Sequence, residues 1–328
     1  MARTGDNNFA QPWQEFKKEF GGAPLLHGPI ENIFKGWDEL LVKMGSKYEF
    51  PAPDDSVKTE DVKINDLVTV RVYTPPNATG SDNLGVYFHG GGWAMGDLNI
   101  EDAQCRIISK ECNIVLVSVD YRLAPKHKYP AALDDSYAGV IWALDNRATL
   151  GANNNPIALI GTSAGGGLSL SVAIKMIQNG NDAQLAGVAA LVPVTIHPSA
   201  LPAELKNKYT SYDEHAEDTV NTKDAMMVFF DAYGGEPQDP LISPLLHNGV
   251  LKKAKKVYIT ECGMDTLRDD ARLMKENLES QNVAVRYDTY PGYPHYSWTL
   301  PSKKLAGHQA EFFENLVNGV NWVFGQGP

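Results

Sequence analysis

Ile157-Ala158-Leu159-Ile160-Gly161-Thr162-Ser163-Ala164-Gly165-Gly166 is the stretch on which the reading of this chain turns. Four apolar residues of strand type run into Gly-x-Ser-x-Gly, and the residues that follow, 166–178, have helical character. A strand that turns sharply through such a pentapeptide into a helix holds its serine at the tip of the turn, as an exposed nucleophile. The turn forces the serine into strained dihedrals and crowds its neighbours, so the positions two before and two after it must lack bulky side chains. Glycine occupies both. Alone the pentapeptide is a weak signal, since Gly and Ser are common in turns. Its weight depends on whether the chain also supplies a base, an acid and oxyanion donors.

Outward from that turn, strand-like and helix-like segments alternate. Strands are expected at 84–88, 114–119, 157–160, 188–192, 257–260 and 283–290, and helices near 100–111, 131–147, 166–178, 267–280 and up to about 321. Period-two runs at 57–64 and 68–73, separated by Asn65-Asp66, read as a hairpin. The pattern is that of an α/β fold, with a mostly parallel central sheet of about eight strands flanked by helices and an antiparallel start. Two regions stand apart from it. Ile30, Ile33, Phe34, Trp37, Leu40, Leu41 and Met44 follow the i, i+3, i+4 rhythm of an amphipathic helix, with a shorter helix at 13–20 before it. Between Pro193 and Pro244 no strand is expected, and a helix-like block at 224–233 sits among Pro, Gly and charged residues. Such a long insertion between two strands suggests a cap over the strand ends. The expected organisation is an N-terminal helical cap segment (1–50), a first part of the core (51–192), a helical cap insertion (193–244) and a second part of the core (245–328).

Composition bounds the function. With 43% hydrophobic and 21% charged residues the chain can bury a sizeable core. Lys+Arg 29 against Asp+Glu 40 gives a net charge of -11, which repels phosphate backbones and anionic membrane surfaces, so nucleic acid is not an expected partner. The basic run Lys252-Lys253-Ala254-Lys255-Lys256 reads as a solvated loop face. Cys105, Cys112 and Cys262 have no C-x-x-C spacing, so neither a disulfide framework nor a metal site is expected, and no cofactor motif is present. The segment 1–10 is polar and nothing approaches about 18 consecutive apolar residues. A soluble, cytoplasmic protein is expected, with no integral membrane association, and Asn77-Ala78-Thr79 reads as an accidental sequon.

Acyl transfer from an ester needs an imidazole within hydrogen-bond reach of the serine and a carboxylate to orient it. Of eight histidines, His295 lies just after the last expected strand, and Asp265 follows the strand at 257–260. In a parallel sheet both emerge at the edge where Ser163 emerges, in the order Ser, Asp, His. Asp269 and Asp270 fall inside the next helix, where they favour its N-terminal dipole; Asp134 and Asp135 read as structural. His89-Gly90-Gly91-Gly92-Trp93 directly follows a strand, and its glycines let backbone N–H groups face a developing oxyanion. The second source of donors is the N–H of Ala164, the residue after the nucleophile. His89 reads as a loop brace.

These motifs, with Asp120-Tyr121-Arg122-Leu123-Ala124-Pro125, Pro130-Ala131-Ala132-Leu133-Asp134-Asp135, Asp265-Thr266-Leu267-Arg268-Asp269 and Pro294-His295, together resemble the hormone-sensitive-lipase-like carboxylesterases of the α/β-hydrolase superfamily. They run in the family's order from about residue 84 to 297. The resemblance implies Ser163 as nucleophile, His295 as base, Asp265 as acid, and Gly91, Gly92 and Ala164 as oxyanion hole. It also implies that the N-terminal helices join the 193–244 insertion to form the cap. Lys126 stands where the family usually has Glu, and Thr162 where Asp often precedes the serine; neither touches the triad.

Apolar cap candidates are Phe34, Trp37, Met226, Met227, Phe229, Phe230 and Tyr233, with Tyr296 and Trp298 near the catalytic loops. Trp93 abuts the oxyanion loop and is the residue assigned to substrate binding. The absence of a long amphipathic lid favours a soluble small-molecule ester with a short acyl chain. A homodimer is compatible with the resemblance. Two alternatives are an arylformamidase-type amide hydrolase, which formyl-kynurenine turnover would reveal, and a non-catalytic small-molecule receptor of the same fold. The receptors of this fold lack the catalytic histidine, and His295 argues against that reading.

Overall fold

The structure is a computed structural model that describes residues 8–247 and 249–326, so the first seven residues of the expected segment 1–50 lie outside the described residues. Eight strands form one sheet: β1 (Lys58–Lys63), β2 (Thr69–Thr74), β3 (Asn83–Phe88), β4 (Ile114–Asp120), β5 (Ile157–Thr162), β6 (Leu185–Leu191), β7 (Lys256–Cys262) and β8 (Ala284–Tyr290). Their order is β1-β2-β4-β3-β5-β6-β7-β8, with β1, β2 and β4 antiparallel in succession and the rest parallel. β4 and β5 are apolar almost throughout because helices cover both faces of the sheet. β6 begins three residues before the expected 188. Gly187 interrupts the apolar run there, and glycine is needed because a Cβ would lie 2.3 Å from the Lys256 carbonyl oxygen of β7.

Registry aligns the strand ends that carry the site. Phe88 pairs with Gly161, Thr162 with Leu191, Leu191 with Thr260 and Cys262 with Tyr290. The loops after β3, β5, β7 and β8 therefore leave one edge of the sheet, where α/β folds bind ligands. Helices α3 (Asp102–Glu111), α4 (Ala131–Asp145), α5 (Ala164–Gln178), α8 (Arg268–Ser280) and α9 (Ala306–Val323) pack on the sheet. α5 is buried all round except at Lys175 and Gln178, so it shows little amphipathic signal.

Among the described residues, 193–244 contains no strand. It holds α6 (Ser211–Glu214), α7 (Lys223–Tyr233) and short 3-10 turns. The N-terminal helices α1 (Gln11–Phe20) and α2 (Ile30–Lys47) flank it, and α2 packs on α7. The two regions are also bonded: Thr222 Oγ1 donates to the Leu26 carbonyl at 2.6 Å and Gly28 N–H donates to Asp224 Oδ2 at 2.7 Å. Among the described residues no helix is long and apolar enough to cross a membrane, no group of His, Cys, Asp or Glu is arranged to hold a metal, and all three cysteines are buried and free.

Candidate active site

Ser163 sits at φ 57°, ψ -118°, a conformation that costs on the order of 1–3 kcal/mol and persists only where the surroundings enforce it. The enforcement is backbone packing. A Cβ on Gly161 would lie 2.1 Å from the Gly165 carbonyl oxygen, and one on Gly165 would lie 2.0 Å from that of Phe88. Ser163 N–H donates to the Leu191 carbonyl at 2.8 Å, and its own carbonyl accepts from Gly167 and Val194. Strand, turn and helix are thus locked to β3 and β6 without any side chain.

The loops after β7 and β8 also meet backbone to backbone. Gly263 donates to Tyr290 at 2.9 Å and Met264 to Tyr293 at 3.1 Å, and a Cβ on Gly263 would lie 2.3 Å from the Pro291 carbonyl oxygen. This contact brings Asp265 and His295 together. Asp265 Oδ2 is 2.7 Å from His295 Nδ1, and His295 Nε2 is 2.9 Å from Ser163 Oγ. All three are buried. Burial alone would raise the Asp265 carboxyl, but the neighbouring His295, the Asn221 amide and the Leu267 N–H outweigh it and hold the group below the ordinary carboxylate range. An ionised carboxylate can only accept, so Nδ1 carries the imidazole proton and Nε2 is left to accept from the serine hydroxyl.

Gly91 and Gly92 have φ 109° and 61°, and a Cβ on either would collide, with the Met95 carbonyl oxygen at 2.2 Å and the Phe229 ring at 2.4 Å. The N–H groups of Gly91, Gly92 and Ala164 make no backbone hydrogen bond among the described residues. Ala164 opens α5, whose first amides have no intrahelical acceptor. Gly91 and Gly92 line the same cavity as Ser163 and His295. His89 donates from Nδ1 to the Gly90 carbonyl at 2.7 Å and stacks on Tyr121; burial lowers its pKa to about 4, which keeps it neutral in a bracing position.

Trp93 is placed elsewhere. It stacks on Tyr233 at 4.4 Å and tilts against Phe230, and it is not among the side chains that line the cavity. Of the other apolar candidates, Trp37, Met226, Phe229 and Tyr296 do line it. Asp135 binds Arg122 through both oxygens, at 2.7 and 2.8 Å, as a structural pair. Asp269 and Asp270 do open α8, but their oxygens serve the insertion. Asp269 accepts from the Thr210 and Ser211 amides, and Asp270 from the Thr195 and Ile196 amides and the Tyr209 hydroxyl. Burial raises Asp270 to about 7.

Two residues at the site carried no signal of their own in the sequence. Asn221 lies in the insertion and donates to Asp265 Oδ1 at 2.7 Å. Glu101 is buried at the start of α3 and accepts from the hydroxyls of Tyr87 and Tyr296, next to His295. Neither belongs to a spaced motif, and each acts through partners distant in the chain.

A hydroxyl whose proton is drawn off by a neutral imidazole, itself braced by a carboxylate, attacks carbonyl carbon; that is the chemistry of the serine hydrolases. Residues 85–299 match the family described as alpha/beta hydrolase fold, and the chain belongs to it, in the branch that resembles hormone-sensitive lipase. Among its relatives are the versiconal hemiacetal acetate esterase of Aspergillus parasiticus, 47% identical over 96% of this chain and 98% of that protein, and the carboxylesterase NlhH of Mycobacterium tuberculosis, 32% identical over 72% and 74%. Among solved structures, vibralactone cyclase superposes with a TM-score of 0.85 at 27% identity, covering 99% of this chain and 97% of the other.

Proposed function

We propose that this protein is a serine carboxylesterase that hydrolyses short-chain esters, acetyl or aryl among them, through an acyl-enzyme. Ser163 Oγ attacks the ester carbonyl while His295 Nε2 takes its proton, and Asp265 holds the imidazole in the tautomer this requires. The N–H groups of Gly91, Gly92 and Ala164 stabilise the oxyanion, each worth about 2.7–4 kcal/mol of barrier. His295 then protonates the departing alcohol, and water, deprotonated by the same nitrogen, releases the acid. The observation that carries this reading is the unbroken series from Asp265 through His295 to Ser163, at 2.7 and 2.9 Å. Relatives named esterases, matched over nearly their whole length, support the ester as substrate, and the acetate in both names supports the acyl length. Nothing favours the amide hydrolase, and an intact histidine speaks against a receptor.

The N-terminal helices and the 193–244 insertion act as the cap, a reading supported by the contacts of α2 with α7 and of Leu26 with Thr222. Three free cysteines suit a reducing cytoplasm. In a series of 4-nitrophenyl esters, kcat/KM is expected to be highest at acetyl to butyryl and to fall towards decanoyl. Ser163→Ala should lower kcat by roughly 10⁵–10⁶ and abolish labelling by a fluorophosphonate probe. Persistent labelling would place the nucleophile elsewhere.

A further inference from the structure

Thr162 precedes Ser163 and Tyr296 follows His295, and one buried carboxylate joins the two. The hydroxyls of Tyr87 and Tyr296 donate to separate oxygens of Glu101, and Tyr87 Oη lies 2.7 Å from Thr162 Oγ1. Gln104 completes the network. Its Nε2 donates to Tyr87 Oη at 2.6 Å and to Thr162 Oγ1 at 3.0 Å, and its Oε1 accepts from Trp298 Nε1 at 3.1 Å. Glu101 itself is 5% exposed, and no step of the proposed hydrolysis uses it.

Tyr296 carries the hold of that carboxylate into the site. It stands at φ 60°, ψ 11°, a left-handed conformation that costs a residue other than glycine on the order of 1–3 kcal/mol and persists only where its surroundings enforce it. Three contacts bear on it: the bond to Glu101, the Trp298 ring stacked at 5.4 Å and the His295 ring edge-on at 4.9 Å. The far end of the tyrosine rests on the glycine loop. A Cβ on Gly90 would lie 1.8 Å from Tyr296 Oη, so the hydroxyl fills the space a side chain there would need. The Gly90 N–H is also among the groups that favour the charge on Glu101. Tyr296 therefore spans from the imidazole to the residue before Gly91 and Gly92, and its hydroxyl proton is committed to Glu101.

We propose that Glu101 is a positioning residue for the hydrolysis: by holding the Tyr296 hydroxyl against Gly90 it fixes the separation of His295 from the oxyanion loop. The inference rests on the esterase reading above. That separation matters because a misplacement of about 1 Å can cost about a hundredfold in rate. Acylation and deacylation use the same base and the same donors, so a loosened tyrosine slows both steps alike. The ring of Tyr296 lines the cavity and remains when only its hydroxyl is lost, so substrate binding is spared.

Tyr296→Phe makes that change. On 4-nitrophenyl acetate its kcat and kcat/KM should fall together by about tenfold to a hundredfold, with KM within about threefold of the natural value. Glu101→Ala should lose at least as much, and Glu101→Gln, which keeps an acceptor oxygen, should regain most of the loss. In Glu101→Ala/Tyr296→Phe the two losses should not multiply, because both break one bond. A kcat for Tyr296→Phe within about twofold of natural overturns the proposal, as does a loss confined to KM or a pair of losses that multiply. A Glu101→Gln variant as slow as Glu101→Ala overturns it too, since the charge and not the hold would then be what acts. Should Glu101→Ala not fold, the split between kcat and KM in Tyr296→Phe decides alone. Each of these results leaves the esterase reading intact, whereas a natural protein that hydrolyses no 4-nitrophenyl ester removes both.

Discussion

Around Ser163 the site is held by contacts that leave no room for side chains; around Asp265 and His295 a backbone contact of the same kind, at Gly263, is joined by side-chain bonds to the insertion. On the first side Gly161 and Gly165 let β3, β5 and α5 approach within backbone distance, and Gly91 lets its loop fold onto the Met95 carbonyl. On the second, three carboxylates at the end of β7 and the start of α8 grip the insertion. Asp265 takes Asn221, Asp269 takes the amides of Thr210 and Ser211, and Asp270 takes those of Thr195 and Ile196. Ser163 is thus built into the sheet, whereas Asp265 and His295 also depend on a segment folded over them. The first side should fail when an atom is added, the second when a charge or an acceptor is removed.

The largest effect is expected on the first side. Gly165 lies in the first turn of a helix, where Gly→Ala on propensity alone would stabilise by about 1 kcal/mol. A Cβ there would lie 2.0 and 2.4 Å from the carbonyl oxygens of Phe88 and His89, atoms of β3 and its loop that cannot swing aside. Gly165→Ala should therefore cost above about 4 kcal/mol in urea unfolding and abolish ester hydrolysis. A neutral or stabilising result would mean that the elbow and β3 are not in backbone contact.

A smaller effect is expected on the second side. Asp269→Asn leaves one acceptor oxygen where two serve the Thr210 and Ser211 amides and the Arg268 guanidinium, and it leaves Arg268 with less negative charge to face. Urea unfolding should show a loss of about 2–3 kcal/mol with an unchanged m-value. Hydrolysis should weaken without vanishing, because the elbow is untouched. Complete inactivation with unchanged stability would instead make Asp269 a partner in the chemistry.

The same division decides what could be read from the chain. The elbow, the glycine loop and the order of acid and base were legible because backbone sterics impose residue types at fixed spacing: Gly161 and Gly165 two residues on either side of Ser163, Gly91 and Gly92 directly after a strand. The succession of strands along the chain followed from alternation, apart from the start of β6, where Gly187 interrupts the apolar run; their order in the sheet did not. Asn221, Glu101 and the true work of Asp269 and Asp270 were not legible. Their partners lie 44, 195, 59 and 75 residues away, and no local period marks such contacts. Trp93 directly follows the glycine loop in sequence, and at φ 58° its ring stacks on Tyr233.

Glu101 is where the two sides share a side chain, and it offers the finest test of whether they move together. One oxygen accepts from Tyr87 on β3, whose hydroxyl is 2.7 Å from Thr162 Oγ1 beside Ser163; the other accepts from Tyr296, beside His295. Burial is the dominant cause raising its pKa, against the lowering hydrogen bonds, from 4.5 to about 7. The native state therefore binds this proton more tightly than the unfolded chain does. The stability it contributes is complete below pH 4.5 and is lost as pH rises through about 7. Glu101→Gln removes the titration, so relative to that variant the natural protein should lose on the order of 1–2 kcal/mol between pH 5 and pH 6.5. Parallel stability curves over that window would show that the carboxyl carries no extra proton in the folded state. Glu101 would then hold both tyrosines as an ion, and the link between the two sides would be insensitive to pH.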